Sequence, residues 1–361
     1  MILIILTAFF VSALISFAST PWVLKFAKRY KLVDNPKTRP HPAHIHKGII
    51  PRGGGLALFL GIFIPAAFML PLNKQIVGIF ISALMIVLIG LWDDKKDRSP
   101  YIRFFLNILV ALITVFAGIG IPYITNPFGG ILHLDTIRWT FNAWGSHSIV
   151  VIADLFAVVW IVWCMNMVNW SKGVDGQMPG FVAIASFVLG LLSLKFAGGD
   201  QTQIVVTILA FLTAGSFLGF LPWNFYPQKI MPGYGGGALA GYMLAVLSIL
   251  SFGKLGTLLL VLAVPMIDAL YTVSRRIIFR RSPFRADSDH LHHKLLSVGW
   301  GKRRIAVFYW MISALMGIIA LLLDSKQKIF AIVLTGALIS AFILWISIFK
   351  KVSEGENVEK I

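Results

Sequence analysis

The chain has 361 residues, 58% of them hydrophobic and 13% charged, a formal net charge of +17 and a mean hydropathy of +0.83. Soluble domains carry charge on about a quarter of their residues, so the composition excludes an ordinary soluble protein and points to an integral membrane protein. A single cysteine, Cys164, excludes an internal disulfide and carries no information on redox compartment.

Taken in chain order, apolar runs of about 20 residues, the length that spans a bilayer core, fall near 2–24, 54–70, 76–92, 102–121, 148–168, 178–195, 203–221, 237–252, 255–274, 305–323 and 328–349. These eleven runs predict an all-α integral membrane protein with about 11 transmembrane helices, a single polytopic domain over 1–350 and a polar tail over 351–361. The first run has no small-residue cleavage site and leads into "KFAKRYK" (25–31), which reads as a retained span. With the N-terminus outside and the C-terminus cytoplasmic, the inward loops hold 26 of the 32 lysines and arginines. That asymmetry sets the orientation by the positive-inside rule and predicts a multi-pass protein of the inner (plasma) membrane. The basic face suits anionic headgroups and phosphorylated cytosolic ligands. Nucleic acid is a poor partner for it, because the cations sit beside spans and lack an aromatic stacking platform.

The polar motifs share that face: "VDNPKTRPHPAHIHKGIIPRGGG" (33–55), "WDDKKDRSP" (92–100), "NMVNWSKGVDG" (166–176), "PQKIMPGYGGG" (227–237) and "RRSPFRADSDHLHHKLL" (280–296). They predict one cytoplasmic site built from five loops. The longest outward loop, 122–147, carries a Gly129-Gly130 turn signal and predicts a short hairpin without chemistry. Asp94 and Asp97 are at helical spacing, and with Asp93 they offer oxygen ligands for a hard divalent ion. A solvated helix end beside Lys95, Lys96 and Arg98 is the structural alternative. Asp287, Asp289, His290, His292 and His293 leave a zinc site conceivable. Without a nearby cysteine, and beside Arg280, Arg281, Arg285 and Lys294, the cluster is better explained by phosphate recognition. Arg52 precedes glycines that let backbone approach a ligand closely. Asp154 and Asp268 inside apolar runs keep a transporter open, although the motifs gather on one face and not at the midplane.

Together the motifs resemble the polyprenyl-phosphate N-acetylhexosamine-1-phosphate transferases, of glycosyltransferase family 4 type, over about residues 33–300. The family's "D-x-P-x-x-R … H … P-R-x-G-G" is matched by Asp34, Pro36, Arg39, His46, Pro51, Arg52, Gly53 and Gly54. Its paired aspartates are matched by Asp93 and Asp94, and its "N-x-x-N-x-x-D-G-x-D-G" by Asn166, Asn169, Gly173, Asp175 and Gly176. Its "P-x-x-D" is matched by Pro265 and Asp268. The "H-x-H-H" of the branch using UDP-N-acetylglucosamine is matched by His290, His292 and His293. The resemblance implies transfer of an N-acetylhexosamine 1-phosphate from its UDP form to polyprenyl (undecaprenyl) phosphate, with release of UMP, at the start of cell-envelope glycan synthesis. It implies Mg²⁺ as cofactor and polyprenyl phosphate, UDP-N-acetylhexosamine and membrane lipids as partners; relatives are often homodimers. By the same resemblance Asp93, Asp94, Asn169, Lys172 and Asp175 line the reaction centre, and Asp93, Asp94 and Asp175 are the metal-ligand candidates. Substrate binding falls to His46, Arg52, Asn166, Gly233, Tyr234, Arg285, His290, His292 and His293.

Two positions depart from the pattern. Lys172 stands where the family has the first aspartate of "D-G-x-D-G". Tyr234 stands where "G-D-x-G-S" has a principal magnesium ligand, the stretch reading Gly233, Tyr234, Gly235, Gly236, Gly237. A tyrosine with a pKa of about 10 is no anionic ligand near neutral pH. Gln177 replaces a usual apolar residue. Lys172 keeps the local charge balance close to that of a metal-bearing centre, so metal dependence is expected to be weakened or absent. Two functions stay open on these residues, an active transferase and a catalytically silent relative that binds prenyl phosphate or nucleotide sugar as a partner or regulator.

Overall fold

The computed structural model describes residues 1–37, 46, 48–126, 129–142, 146–252, 254–283 and 289–358. Every apolar run becomes helix. In chain order these are α1 (Ile2–Arg29), α2 (Gly55–Met69), α3 (Lys74–Lys96), α4 (Pro100–Phe116), α5 (Val151–Trp170), α6 (Gln177–Phe196), α7 (Thr202–Asn224) and α8 (Gly233–Leu250). The pair α9 (Leu255–Val261) and α10 (Ala263–Ile278) follows, then α11 (Leu291–Ser297), α12 (Lys302–Leu322) and α13 (Ser325–Val358). Among the described residues eight helices are long and apolar enough to cross a membrane, and nine if α9 and α10, bent by 87°, make one span. The chain is a multi-pass membrane protein.

Two of the eleven expected spans, α2 and α4, are shorter helices than their apolar runs, because apolar length is not helix length. Helix α2 stops before Pro71 after 15 residues. Helix α4 begins at Pro100, with the Ser99 hydroxyl accepting the Tyr101 N–H, and ends before Gly118 after 17 residues, as proline at a helix start and glycine past its end dictate. The all-α expectation also needs adjusting. Three two-stranded antiparallel ladders occur: β1 (Val33–Asp34) with β2 (Ile50–Pro51), β3 (Tyr123–Thr125) with β4 (Ile131–His133), and β5 (Arg138–Asn142) with β6 (Ser146–Val150). The expected hairpin in the 122–147 loop is therefore two ladders.

Helix α8 is the most enclosed element, with nearly every residue buried. Its glycines let other helices meet it backbone to backbone: Gly235 against Gly90 of α3, Gly236 against Gly55 of α2 and Gly241 against the Cys164 carbonyl of α5. Such contacts between small residues supply close packing where lipid offers no hydrophobic drive. Several polar groups in the interior pair with one another, as an apolar medium favours. The Tyr242 hydroxyl lies 2.9 Å from Thr114 Oγ1, itself 3.0 Å from Ser82 Oγ, and the Trp160 indole donates to Ser248 Oγ at 3.0 Å. Trp22 and Phe68, 81% and 88% exposed, lie on helix faces turned outward from the bundle, where lipid is the solvent they suit. The C-terminal ends of α1, α3, α5, α7 and α10 and the N-terminal ends of α2, α4, α6, α8 and α12 meet at one end of the bundle, where the motif loops lie. Asp154 is at the other end, where it accepts the Val150 N–H at 2.8 Å at the start of α5, a structural cap.

Candidate active site

The site grows from a backbone lattice. The β1–β2 ladder pairs Val33 with Pro51 and Asp34 with Ile50, which fixes the strand that leads into Arg52. The Arg52 N–H donates to Leu32 O at 2.8 Å, Met231 N–H to Pro51 O at 2.8 Å, Gly54 N–H to Met231 O at 3.0 Å and Gly55 N–H to Pro232 O at 2.9 Å. These bonds lace the 50–55 segment to the loop before α8. At the end of α3, Asp94 is 1% exposed. Its Oδ1 lies 3.1 Å from Arg52 Nε and accepts the Tyr234 N–H at 3.1 Å. Gly233, at φ +70°, turns the chain there, and any side chain on it would collide with the Asp94 carboxylate. Asp93 faces a different pair: its Oδ1 accepts the Arg98 N–H at 3.0 Å and its Oδ2 lies 3.5 Å from Arg103 Nη1. Asp97 leaves the helix in a left-handed conformation and is exposed, so it does not share a face with Asp94 as its spacing suggests.

Both substituted positions open onto this centre. Lys172 Nζ donates to Asn169 Oδ1 at 2.7 Å and to Gly233 O at 2.8 Å. It stands 6.0 Å above the Tyr234 ring centroid, and the Arg103 guanidinium stands 5.5 Å from the same ring. The Tyr234 hydroxyl turns the other way and donates to Asn107 Oδ1 at 2.8 Å. Burial lowers the Lys172 ammonium to about 7; Arg52 adds to the shift, and Asp94 and Asp93 oppose it. A phosphate brought beside it would favour the charged form by the same Coulomb rule.

The remaining candidates divide. Asn166 donates to Val162 O at 2.8 Å within its own helix. Asp175, 3% exposed, lies 3.3 Å from Lys302 Nζ and accepts from Gln228 Nε2 at 3.0 Å and from the Gln228 N–H at 3.3 Å. His290 Nδ1 pairs with Asp268 Oδ2 at 2.9 Å, and Asp268 Oδ1 accepts the Leu291 N–H at 2.7 Å. The His290 and His292 rings stack at 5.7 Å, and His293 lies 4.4 Å from His292. His292 fills the space beside Gly173, where a side chain would strike its ring, so the histidine loop docks on the loop that bears Lys172. Burial first, then His293 and His290, holds His292 well below the usual imidazole range. His46 Nε2 lies 3.6 Å from Asp34 at the foot of the β1–β2 ladder. Arg39, Arg285 and Asp287 lie outside the described residues.

Mg²⁺ demands oxygen ligands in near-ideal octahedral geometry and is usually held by one or two carboxylates with substrate phosphates. Among the described residues no three His, Cys, Asp or Glu side chains gather into a possible metal site. Asp175 is tied to Lys302, Asp94 to Arg52 and Asp93 to Arg103. Arg52 and Arg103 already answer the charges of Asp93 and Asp94, and Lys172, when protonated, adds a third cation beside them, so little negative charge is left for a metal. These residues do not fit a divalent ion. Arg103 and Asn107 were missed in the sequence reading. They stand four residues apart on one face of an apolar helix, with Thr114 further along the same buried face, and that polar stripe was the available signal.

The family described as "Glycosyl transferase family 4" matches residues 76–252. A probable undecaprenyl-phosphate N-acetylglucosaminyl 1-phosphate transferase of Bacillus subtilis is 30% identical over 328 residues, which cover 89% of this chain and 85% of the relative. The chain belongs to the polyprenyl-phosphate N-acetylhexosamine-1-phosphate transferase superfamily. Other superfamily members extend the likeness. A decaprenyl-phosphate N-acetylglucosaminephosphotransferase of Mycobacterium tuberculosis is 31% identical, covering 83% of this chain and 78% of its own. An undecaprenyl-phosphate alpha-N-acetylglucosaminyl 1-phosphate transferase of Thermotoga maritima is 27% identical, covering 78% of both. Lys172 and Tyr234 fall inside the matched family region and not at its edges.

Proposed function

We propose that the chain transfers an N-acetylhexosamine 1-phosphate, GlcNAc-like, from its UDP form to polyprenyl phosphate at the cytoplasmic face of the plasma membrane. One observation carries the reading: the segments bearing Arg52, Asp94, Lys172, Gly233 and His292 contact one another at a single end of a membrane bundle. A lipid phosphate and a water-soluble nucleotide sugar can meet only where the apolar and aqueous phases adjoin. In the reaction an oxygen of the prenyl phosphate bonds to the sugar-bearing phosphorus. The bond from that phosphorus to the bridging oxygen breaks, and UMP leaves with that oxygen. Asp93 or Asp94 would take the proton of a monoprotonated lipid phosphate. Each carboxylate is held by an arginine that an incoming phosphate can draw away, which raises its availability as a base. His290, fixed by Asp268, and His293 are suited to the nucleotide side.

The relatives named for this activity support the reading. UMP release from a panel of UDP-sugars in liposomes containing undecaprenyl phosphate tests it, and UDP-GlcNAc should be among the productive donors. No UMP from any donor would remove the transferase reading. A second reading, a silent relative that binds these ligands and regulates glycan assembly, is favoured by one feature. Lys172 and Tyr234 are engaged with Asn169, Gly233 and Asn107 where the family has two aspartates. A Lys172→Asp, Tyr234→Asp double variant that gains activity would decide for it.

A further inference from the structure

The two substitutions are reciprocal in space. Lys172 reaches across to the carbonyl of Gly233, the residue before Tyr234, and its ammonium and the Arg103 guanidinium both stand against the Tyr234 ring. Arg52 reaches the same place from the β1–β2 side and shares Asp94 Oδ1 with the Tyr234 amide. Three cationic groups from three segments thus surround the pair Asp93 and Asp94, whose side chains already face two of them. A divalent ion entering here would meet two carboxylates already paired with guanidinium groups and an amine beside them. A phosphate would meet guanidinium donors that chelate its oxygens and an ammonium beside them.

We infer that Arg52, Arg103 and Lys172 form a protein-only cradle that binds phosphate or diphosphate without a divalent cation, with Arg103 a binding residue. The inference rests on the transferase-type reading only for the identity of the ligand, prenyl phosphate or nucleotide diphosphate. The cradle itself stands on the charges at the centre. Tyr234 supports two of its cations through the ring face, the geometry in which aromatic rings attract them. Asn169 holds Lys172 in place through the bond to its ammonium.

The test uses full-length protein in nanodiscs, stripped with EDTA. First, Mn²⁺ stands in for Mg²⁺ and its binding is followed by electron paramagnetic resonance. Wild type should hold no stoichiometric Mn²⁺, whereas a Lys172→Asp, Tyr234→Asp variant, which restores two carboxylates, should hold one ion. One tightly bound Mn²⁺ per wild-type chain, displaced by Mg²⁺, overturns the inference and needs no variant to be seen. Second, binding of inorganic pyrophosphate, UDP-GlcNAc and undecaprenyl phosphate is measured by calorimetry in EDTA and in Mg²⁺. Affinities should agree between the two conditions within about twofold. Arg103→Met and Lys172→Met should each weaken them about ten- to a hundredfold, the worth of a charge-assisted hydrogen bond, while Arg103→Lys, which keeps the charge and loses the planar fork, should fall between wild type and Arg103→Met. Binding that appears only with Mg²⁺ overturns the cradle and leaves the transferase reading intact. Pyrophosphate binding in EDTA without either natural ligand supports the cradle and removes that reading. No binding of any of the three in either condition overturns the cradle too. Which natural ligand competes with pyrophosphate identifies the source of the phosphate.

Discussion

Asp94 and Asp175 are both buried carboxylates at the same end of the bundle, and their surroundings differ in kind. Asp175 is a balanced joint: Lys302 answers its charge, Gln228 supplies two further hydrogen bonds, and the three together tie the first turn of α12 and the loop before α8 to the entrance of α6. Asp94 and its neighbour Asp93 sit among three cationic side chains, Arg52, Arg103 and Lys172. Burial of a carboxylate therefore does not by itself mark the reacting group. Three cationic side chains converging on the pair, two of them in direct ion pairs with it, distinguish a place suited to a further anion from a structural knot.

The sharpest way to break this comparison is to remove one cation from each place. Arg52→Met takes from Asp94, 1% exposed, its guanidinium but leaves the Tyr234 N–H, and should cost roughly 3 kcal/mol, the low end of the penalty for breaking a buried ion pair. Reversible denaturant unfolding in mixed micelles measures it. Lys302→Met should cost less, about 1.5–3 kcal/mol, because Asp175 keeps both bonds from Gln228. If the Lys302 variant proves the more damaging, Asp175 and not Asp94 is the strained carboxylate, and the distinction drawn above falls.

Sequence alone made the gathering of five motif loops legible, because charge asymmetry and motif order are local properties that survive folding. It also singled out Lys172 and Tyr234 by comparison with the family's pattern. What it left unread is pairing across long separations. Lys302 is 127 residues from Asp175, and no periodicity connects them. Arg103 and Asn107 were absorbed into an apolar run counted as a span, although their four-residue spacing puts them on one face. The charge balance at the centre changed for the same reason. Counting Asp175 as part of it and omitting Arg52 and Arg103 gives an anionic site, and placing these residues by their contacts gives one whose two aspartates are each paired with an arginine. Helix length was not legible from the apolar runs either, because Pro71, Pro100 and Gly118 shorten α2 and α4 without changing their hydropathy.

Tyr234→Phe should have the smallest effect, and it separates the two faces of that residue. Removing the hydroxyl takes one donor from buried Asn107 Oδ1 and should cost about 1–3 kcal/mol, the desolvation penalty of an unsatisfied buried group. The ring that supports Lys172 and Arg103 is unchanged, and so is the backbone N–H that Asp94 accepts. Pyrophosphate affinity in EDTA should then stay within about twofold of wild type, because the ring's cation–π attraction does not use the hydroxyl. A loss of affinity without a loss of stability would mean that the hydroxyl itself contacts the anion. In that case Tyr234 would act as a ligand donor where the family has an aspartate, and not as a platform for the two cations beside its ring.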